Sequence, residues 1–165
     1  MREVGPLATA LDRLDAQGYV NVDRQTLRAV EPWLRWSPVL CAIFMATGTV
    51  LASPWILWGL AMTAALGTVL PKHPFDYVYN LGVRRLTGTP PLPRNGAPRR
   101  FACGIASVWL VATGAAFAAD LTVVGYVLGS ILTAIAALVG TTHFCIPSLI
   151  YGLLFGRPQC TTEQR

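Results

Sequence analysis

Three stretches of this 165-residue chain contain no Asp, Glu, Lys or Arg: Trp36 to Pro71, Phe101 to Ala119 and Leu121 to Gly156. Uncharged runs of roughly 18 or more residues read as bilayer-crossing helices, because a soluble surface cannot be made from them. The first run is too long for one crossing and is punctuated by Ser53-Pro54, so it predicts two helices, about 36–52 and 54–70. The second predicts a helix over about 101–118. The third predicts another over about 121–141, with Asp120 alone between them. The remaining apolar residues to Gly156 are too few to cross again, and are expected to lie along the interface or to extend a helix kinked at Pro147. The expected fold is all-α, a polytopic membrane protein of four transmembrane helices in two hairpins, preceded by a short amphipathic N-terminal arm.

The arm, residues 1–35, places Leu7, Leu11 and Leu14 on one helical stripe that Gly18 ends. A second short helix is expected to start at Asp23 as N-cap, with Val22 and Leu27 as a hydrophobic staple, and to stop before Pro32. Such a pair suits the membrane interface. Residues 71–100 form a polar loop, and its segment from Thr87 to Pro98 is too rich in Pro and Gly for a helix. Residues 157–165 form a short polar tail. Ala46-Thr-Gly48 recurs as Ala112-Thr-Gly114, and His73 is followed 70 residues later by His143, the pattern of a duplicated hairpin.

Composition agrees with the pattern: 53% of the residues are hydrophobic and only 13% charged. No signal-peptide pattern precedes the spans. Five Arg balance five acids in the arm, which excludes a basic nucleic-acid tail. Lys and Arg number five in the arm, six in the loop and two in the tail, with none in the hairpin turns. Positive residues stay inside, so arm, loop and tail are all expected on the cytoplasmic side, both termini included.

The predicted spans hold no acid or base away from their ends, which argues against an ion pump or a proton-coupled transporter. Their small-residue faces, Gly125-Tyr-Val-Leu-Gly129 among them, point to helix packing. The leading expectation is a non-enzymatic accessory or assembly subunit, in contact with lipid and with other membrane proteins or its own copies. The alternative is a redox-, haem-, metal- or sulfur-linked protein. It would use His73, His143 and Cys145 as cofactor ligands, with Cys41 and Cys103 as neighbours at the same depth. Weighed against it, cysteine packs well as a small apolar residue, interfacial histidines need only a polar partner, and no CxxC or HxxxH pair is present. Cys160 is expected to be a free thiol in the tail. Arg84, Arg85, Arg99 and Arg100 flank Thr89-Pro-Pro-Leu-Pro93 and are expected at lipid head groups.

Four segments carry a resemblance: His73-Pro-Phe-Asp-Tyr-Val-Tyr-Asn80, Gly88-Thr-Pro-Pro-Leu-Pro93, Gly96-Ala-Pro-Arg-Arg-Phe-Ala-Cys103 and Phe144-Cys-Ile-Pro-Ser-Leu-Ile-Tyr-Gly-Leu-Leu-Phe-Gly156. With them the chain resembles a bacterial family of small integral membrane proteins of the DUF4395 type, a domain of unknown function. The resemblance implies a four-span protein of the bacterial inner membrane and supplies no activity. Members of that family carry two cysteines three apart in the last span, where this chain has Cys145 and Ser148.

Overall fold

In a computed structural model the chain is described over residues 6–156. The arm holds α1 (Pro6–Ala16) and α2 (Arg24–Val30), and a 3₁₀ turn over Glu31–Arg35 leads into α3 (Trp36–Val50). A three-residue turn reverses the chain into α4 (Pro54–Val69). The loop opens with α5 (Pro74–Val78), a π turn (Tyr79–Val83) and α6 (Arg84–Thr87), then runs extended to α7 (Ala97–Ala118). A second tight turn leads to α8 (Thr122–Thr142), and α9 (Ile146–Phe155) closes the described chain. The protein is all-helical, with no strand among the described residues.

α7 and α8 are long and apolar enough to cross a membrane. α4 with its continuation through α5 and α6 would be a third candidate, but the two are bent by 81°. α3 and α4 have 15 and 16 residues. At about 1.5 Å per residue each falls short of the roughly 30 Å hydrocarbon core. By length and composition the helices among the described residues give two crossings, or up to three if the bent pair is one span, where the sequence pattern predicts four.

The helices form a ring in which α3 packs on α4 and α8, and α7 packs on α4 and α8, with α9 against α7. Both hairpins turn in the same way. In the first, Ser53 N–H donates to the Gly48 carbonyl and Ala52 is left-handed; in the second, Leu121 N–H donates to the Ala116 carbonyl and Asp120 is left-handed. The two turns are related by an offset of 68 residues, which differs from the 66 of the Ala-Thr-Gly repeat and the 70 of the histidines. Both turns lie at one end of the bundle, since Gly129 near the start of α8 meets Thr49 near the end of α3. The arm, the loop and α9 occupy the other end.

The small residues close the ring from inside. Gly125 sits under the Phe117 ring, and a methyl group on Gly129 would stand 2.3 Å from Thr49 Oγ1 and 2.7 Å from its Cγ2. The Gly125–Gly129 face is therefore taken up within the chain. Overfilling such a contact costs about 1–3 kcal/mol. Gly129→Ala is expected to lower the thermal midpoint in detergent by several degrees, whereas Gly59→Ala, with nothing within 4 Å of the added methyl, should leave it within a degree.

The leucine stripe of the arm does not face lipid. Leu11, Leu14, Leu27, Val30 and Leu34 are buried around Tyr19, Tyr79 and Leu92, so arm and loop make a small core of their own. The Leu7 side chain lies outside the described ones. Asp23 caps α2 through Thr26 N–H at 2.9 Å, and Val22 packs on the same core. The chain passes Pro32 by tightening into the 3₁₀ turn, with proline in its first positions, where no amide hydrogen is missed.

Candidate functional site

The arm ends of four helices enclose a cavity of about 240 Å³. Cys41 enters it from α3, Cys103 from the first turns of α7, and Cys145 from the N-cap of α9. His73 enters from the N-cap of α5, and Arg99 and Gln17 stand beside them. Deeper walls are apolar, with Met45, Leu60, Trp109 and Leu132. The cavity wall is thus almost wholly apolar, with His73, Arg99 and Gln17 bordering it at the arm end.

Arg99 is the unexpected member. α7 starts at Ala97, earlier than the uncharged run, with Pro98 in its first turn. That puts Arg99 on the inner face, 7% exposed, and away from lipid head groups. Its guanidinium donates from Nη1 to the Tyr19 hydroxyl at 2.7 Å and from Nη2 to Ser37 Oγ at 2.8 Å. The Tyr19 hydroxyl donates in turn to Asn95 Oδ1 at 2.9 Å. Burial and the nearby Asp76 push the Tyr19 phenol up, against the pull of Arg99, so it stays neutral. No carboxylate makes an ion pair with Arg99 among the described residues. Asp76 is buried nearby, and its Oδ1 lacks a hydrogen-bond partner.

Arg100 is engaged differently. It donates to the carbonyls of Thr68 at 2.7 Å and Val69 at 2.9 Å, closing the C-terminal end of α4. Arg84 and Arg100 are half-buried and Arg85 exposed, so of the four arginines expected at lipid head groups only Arg99 is buried.

His73 caps α5. Its Nδ1 accepts from Phe75 N–H at 3.3 Å, and its own N–H donates to Asp76 Oδ2 at 3.2 Å. Burial pushes its pKa down, Asp76 opposes this and Arg99 adds to it, giving about 4. The ring is neutral at pH 7, and with Nδ1 accepting, its proton sits on Nε2. That nitrogen and Cys103 Sγ flank the same point, the missing Cβ of Gly67, at 3.5 and 3.3 Å.

His143 stands outside the cavity wall. It is left-handed and ends α8, and its Nε2 lies 2.7 Å from Glu31 Oε1. Arg35 joins the pair, Nη2 donating to the same Glu31 oxygen at 2.7 Å. Gln17 donates to the His143 carbonyl and Arg13 to the Thr142 carbonyl, both at 2.7 Å, so the arm caps α8 as Arg100 caps α4. Burial would raise the Glu31 carboxyl, but hydrogen bonds from Arg35 and His143 outweigh it and hold it below its ordinary value. Burial depresses His143, and the pull of Glu31 does not restore it. Both groups therefore bind protons less readily when the arm is docked. The docking stability they supply is complete above pH 6.5. It falls as His143 protonates, and further below 4.5 as Glu31 does. Protease sensitivity of the arm is expected to rise several-fold between pH 7 and pH 4.5, and a flat profile would reject this latch.

Of the five residues sharing a depth in the sequence, the structure brings Cys41, Cys103, Cys145 and His73 onto one cavity and sets His143 in the latch beside it. Cys160 lies outside the described residues. No three His, Cys, Asp or Glu side chains among the described residues converge closely enough to hold a metal ion. The nitrogens His143 Nε2 and His73 Nδ1 are taken by other partners. The three described cysteines are free thiols bordering a space.

Fold and site together define an all-helical protein with apolar helices fit to cross a membrane and a thiol-bordered cavity at one end of the bundle. The chain belongs to the family described as Domain of unknown function (DUF4395), whose model matches residues 31–155. No curated protein and no solved structure matches it.

Proposed function

We propose that this is a multi-pass protein of the bacterial inner membrane that carries out thiol–disulfide chemistry in the cavity beneath its N-terminal arm. The observation that carries the reading is that three cysteines from three separate helices border one space, together with a buried guanidinium and a neutral histidine. Four crossings suit it: the outer faces of α3 and α4 expose Val50, Trp55, Met62 and Val69, which lipid would cover. The hairpin-turn end carries Asp120 as its only charge, while Lys and Arg gather at the arm end, so that end faces the cytoplasm and both termini lie inside.

A test uses the full chain with Cys160→Ser, reduced and then exposed to diamide in detergent. An internal disulfide that includes Cys103 is expected in peptide mass analysis. Recovery of all three thiols unoxidised would sink the reading. An accessory subunit is the second reading. The small-residue faces that suggested it are filled from within, but Leu153, Leu154 and Phe155 stand exposed at the end of α9 and favour a partner there. A strictly solitary monomer in native mass measurement after gentle extraction would remove it.

A further inference from the structure

We infer that the cavity receives the ring of a membrane quinone, which takes two electrons from Cys103 and Cys145. This rests on the thiol reading above and names its oxidant. Three features constrain the occupant. The first is size: a cavity of about 150 Å³ lined by Leu, Ile and Phe admits benzene. One of about 240 Å³ has room for a substituted ring.

The second feature is polarity. Met45, Leu60, Trp109 and Leu132 wall the deep part, and the Trp109 ring is held in place by its Nε1–H bond to the Leu128 carbonyl at 3.1 Å. The occupant must accept hydrogen bonds only at the arm end. There Arg99 uses two N–H groups on Tyr19 and Ser37, leaving three of the five a guanidinium carries. His73 carries its proton on Nε2, beside Cys103. A quinone is a flat apolar ring with carbonyl acceptors, and its tail continues into lipid. An anionic lipid head would use Arg99 but leave the thiols without a role.

The third feature is the thiols, which need a two-electron acceptor that dissolves in a bilayer. We assign the disulfide to Cys103 and Cys145, both of which border the cavity. α7 packs on α9, and Cys145 sits in the break between α8 and α9, after left-handed His143. Cys41 on α3 and Cys103 on α7 each lie inside a regular helix, so Cys41–Cys103 is the competing pair that the serine variants below distinguish. In the reaction both S–H bonds break and one S–S bond forms. Two electrons reduce the ring, and the two thiol protons end on its oxygens as quinol. Arg99 and His73 hold those oxygens as negative charge builds on them.

The test uses reduced full chain with Cys160→Ser in nanodiscs, without oxygen. A short-tailed benzoquinone with every ring carbon substituted is added, so that thiols cannot add to the ring. About one quinone reduced per chain is expected, with a Cys103–Cys145 disulfide in peptide mass analysis. Cys103→Ser and Cys145→Ser should abolish both signals, and Cys41→Ser should keep them. Binding is read separately in Cys103→Ser, as a saturable tryptophan quench that Trp109→Phe removes and that Arg99→Gln shifts about tenfold to higher quinone. Absence of both quinol and quench overturns the proposal. A Cys103–Cys145 bond formed with diamide but not with quinone overturns the quinone and leaves the thiol reading standing. No disulfide with either oxidant removes both.

Discussion

Tyr79→Ala is expected to lower the unfolding free energy of the arm and loop by about 3–5 kcal/mol, the usual cost of emptying a large buried aromatic site. Tyr79 is fully buried where the arm meets the loop, its ring 5.2 Å from Trp33 and 6.3 Å from Trp36 between centroids. Its hydroxyl hydrogen-bonds to Thr89 across the extended strap. Removing the ring takes the common wall from Leu14, Leu27 and Leu92 at once. Tyr79→Phe should cost only about 1 kcal/mol, the net worth of one hydrogen bond. Denaturant unfolding in detergent, followed by tryptophan fluorescence and arm proteolysis, separates the two substitutions. If Tyr79→Ala costs under about 1 kcal/mol, the arm core is not what holds the arm down.

Tyr79 also shows where sequence reasoning stops. Tyr77-Val-Tyr79-Asn80 offers two tyrosines with nothing to rank them. The π turn beginning at Tyr79 turns it inward, and Asn80 Oδ1 then takes the Leu92 amide at 2.8 Å. Such a turn has no simple residue signature. The depth of Cys41, Cys103, His73 and Cys145, by contrast, was legible, because helix ends can be counted from where charges resume.

Arg99 departs from the sequence expectation for a traceable reason. A charge-based boundary starts the third helix at Phe101, and leaves both arginines at the surface. Gly96-Ala-Pro98 is itself a helix-start signal, with Pro98 in the first turn, and reading it first would have put Arg99 inside. His73 and Asp76 could also have been read as a capping pair three residues apart, which would have drawn Asp76 into the site. The latch was out of reach: Glu31 and His143 are 112 residues apart, and only the docking of the arm joins them.

Gly96→Ala is expected to speed alkylation of Cys103 and Cys145 by a charged maleimide about 5- to 150-fold. Gly96 and Gly18 cross backbone against backbone. A methyl on Gly96 would stand 2.6 Å from both the Cα and the carbonyl oxygen of Gly18, and neither atom can rotate away. Gly96 itself has φ −68° and ψ 165°, values alanine adopts freely, so the effect is steric and not backbone strain. Gly18 closes α1 with φ +96°, and the residues on either side of it, Gln17 and Tyr19, reach the cavity and Arg99. Pushing the crossing apart lifts that roof. Overpacking of about 1–3 kcal/mol, at roughly 1.4 kcal/mol per tenfold, gives the range stated. Gly82→Ala, on the same loop with nothing within 4 Å of the added methyl, should leave the rate unchanged. Equal rates in Gly96→Ala and the unaltered chain would mean that the reagent does not enter beneath the arm. The opening would then lie on the bilayer side, between α7 and α9, where Ile105 and Ile150 line the cavity.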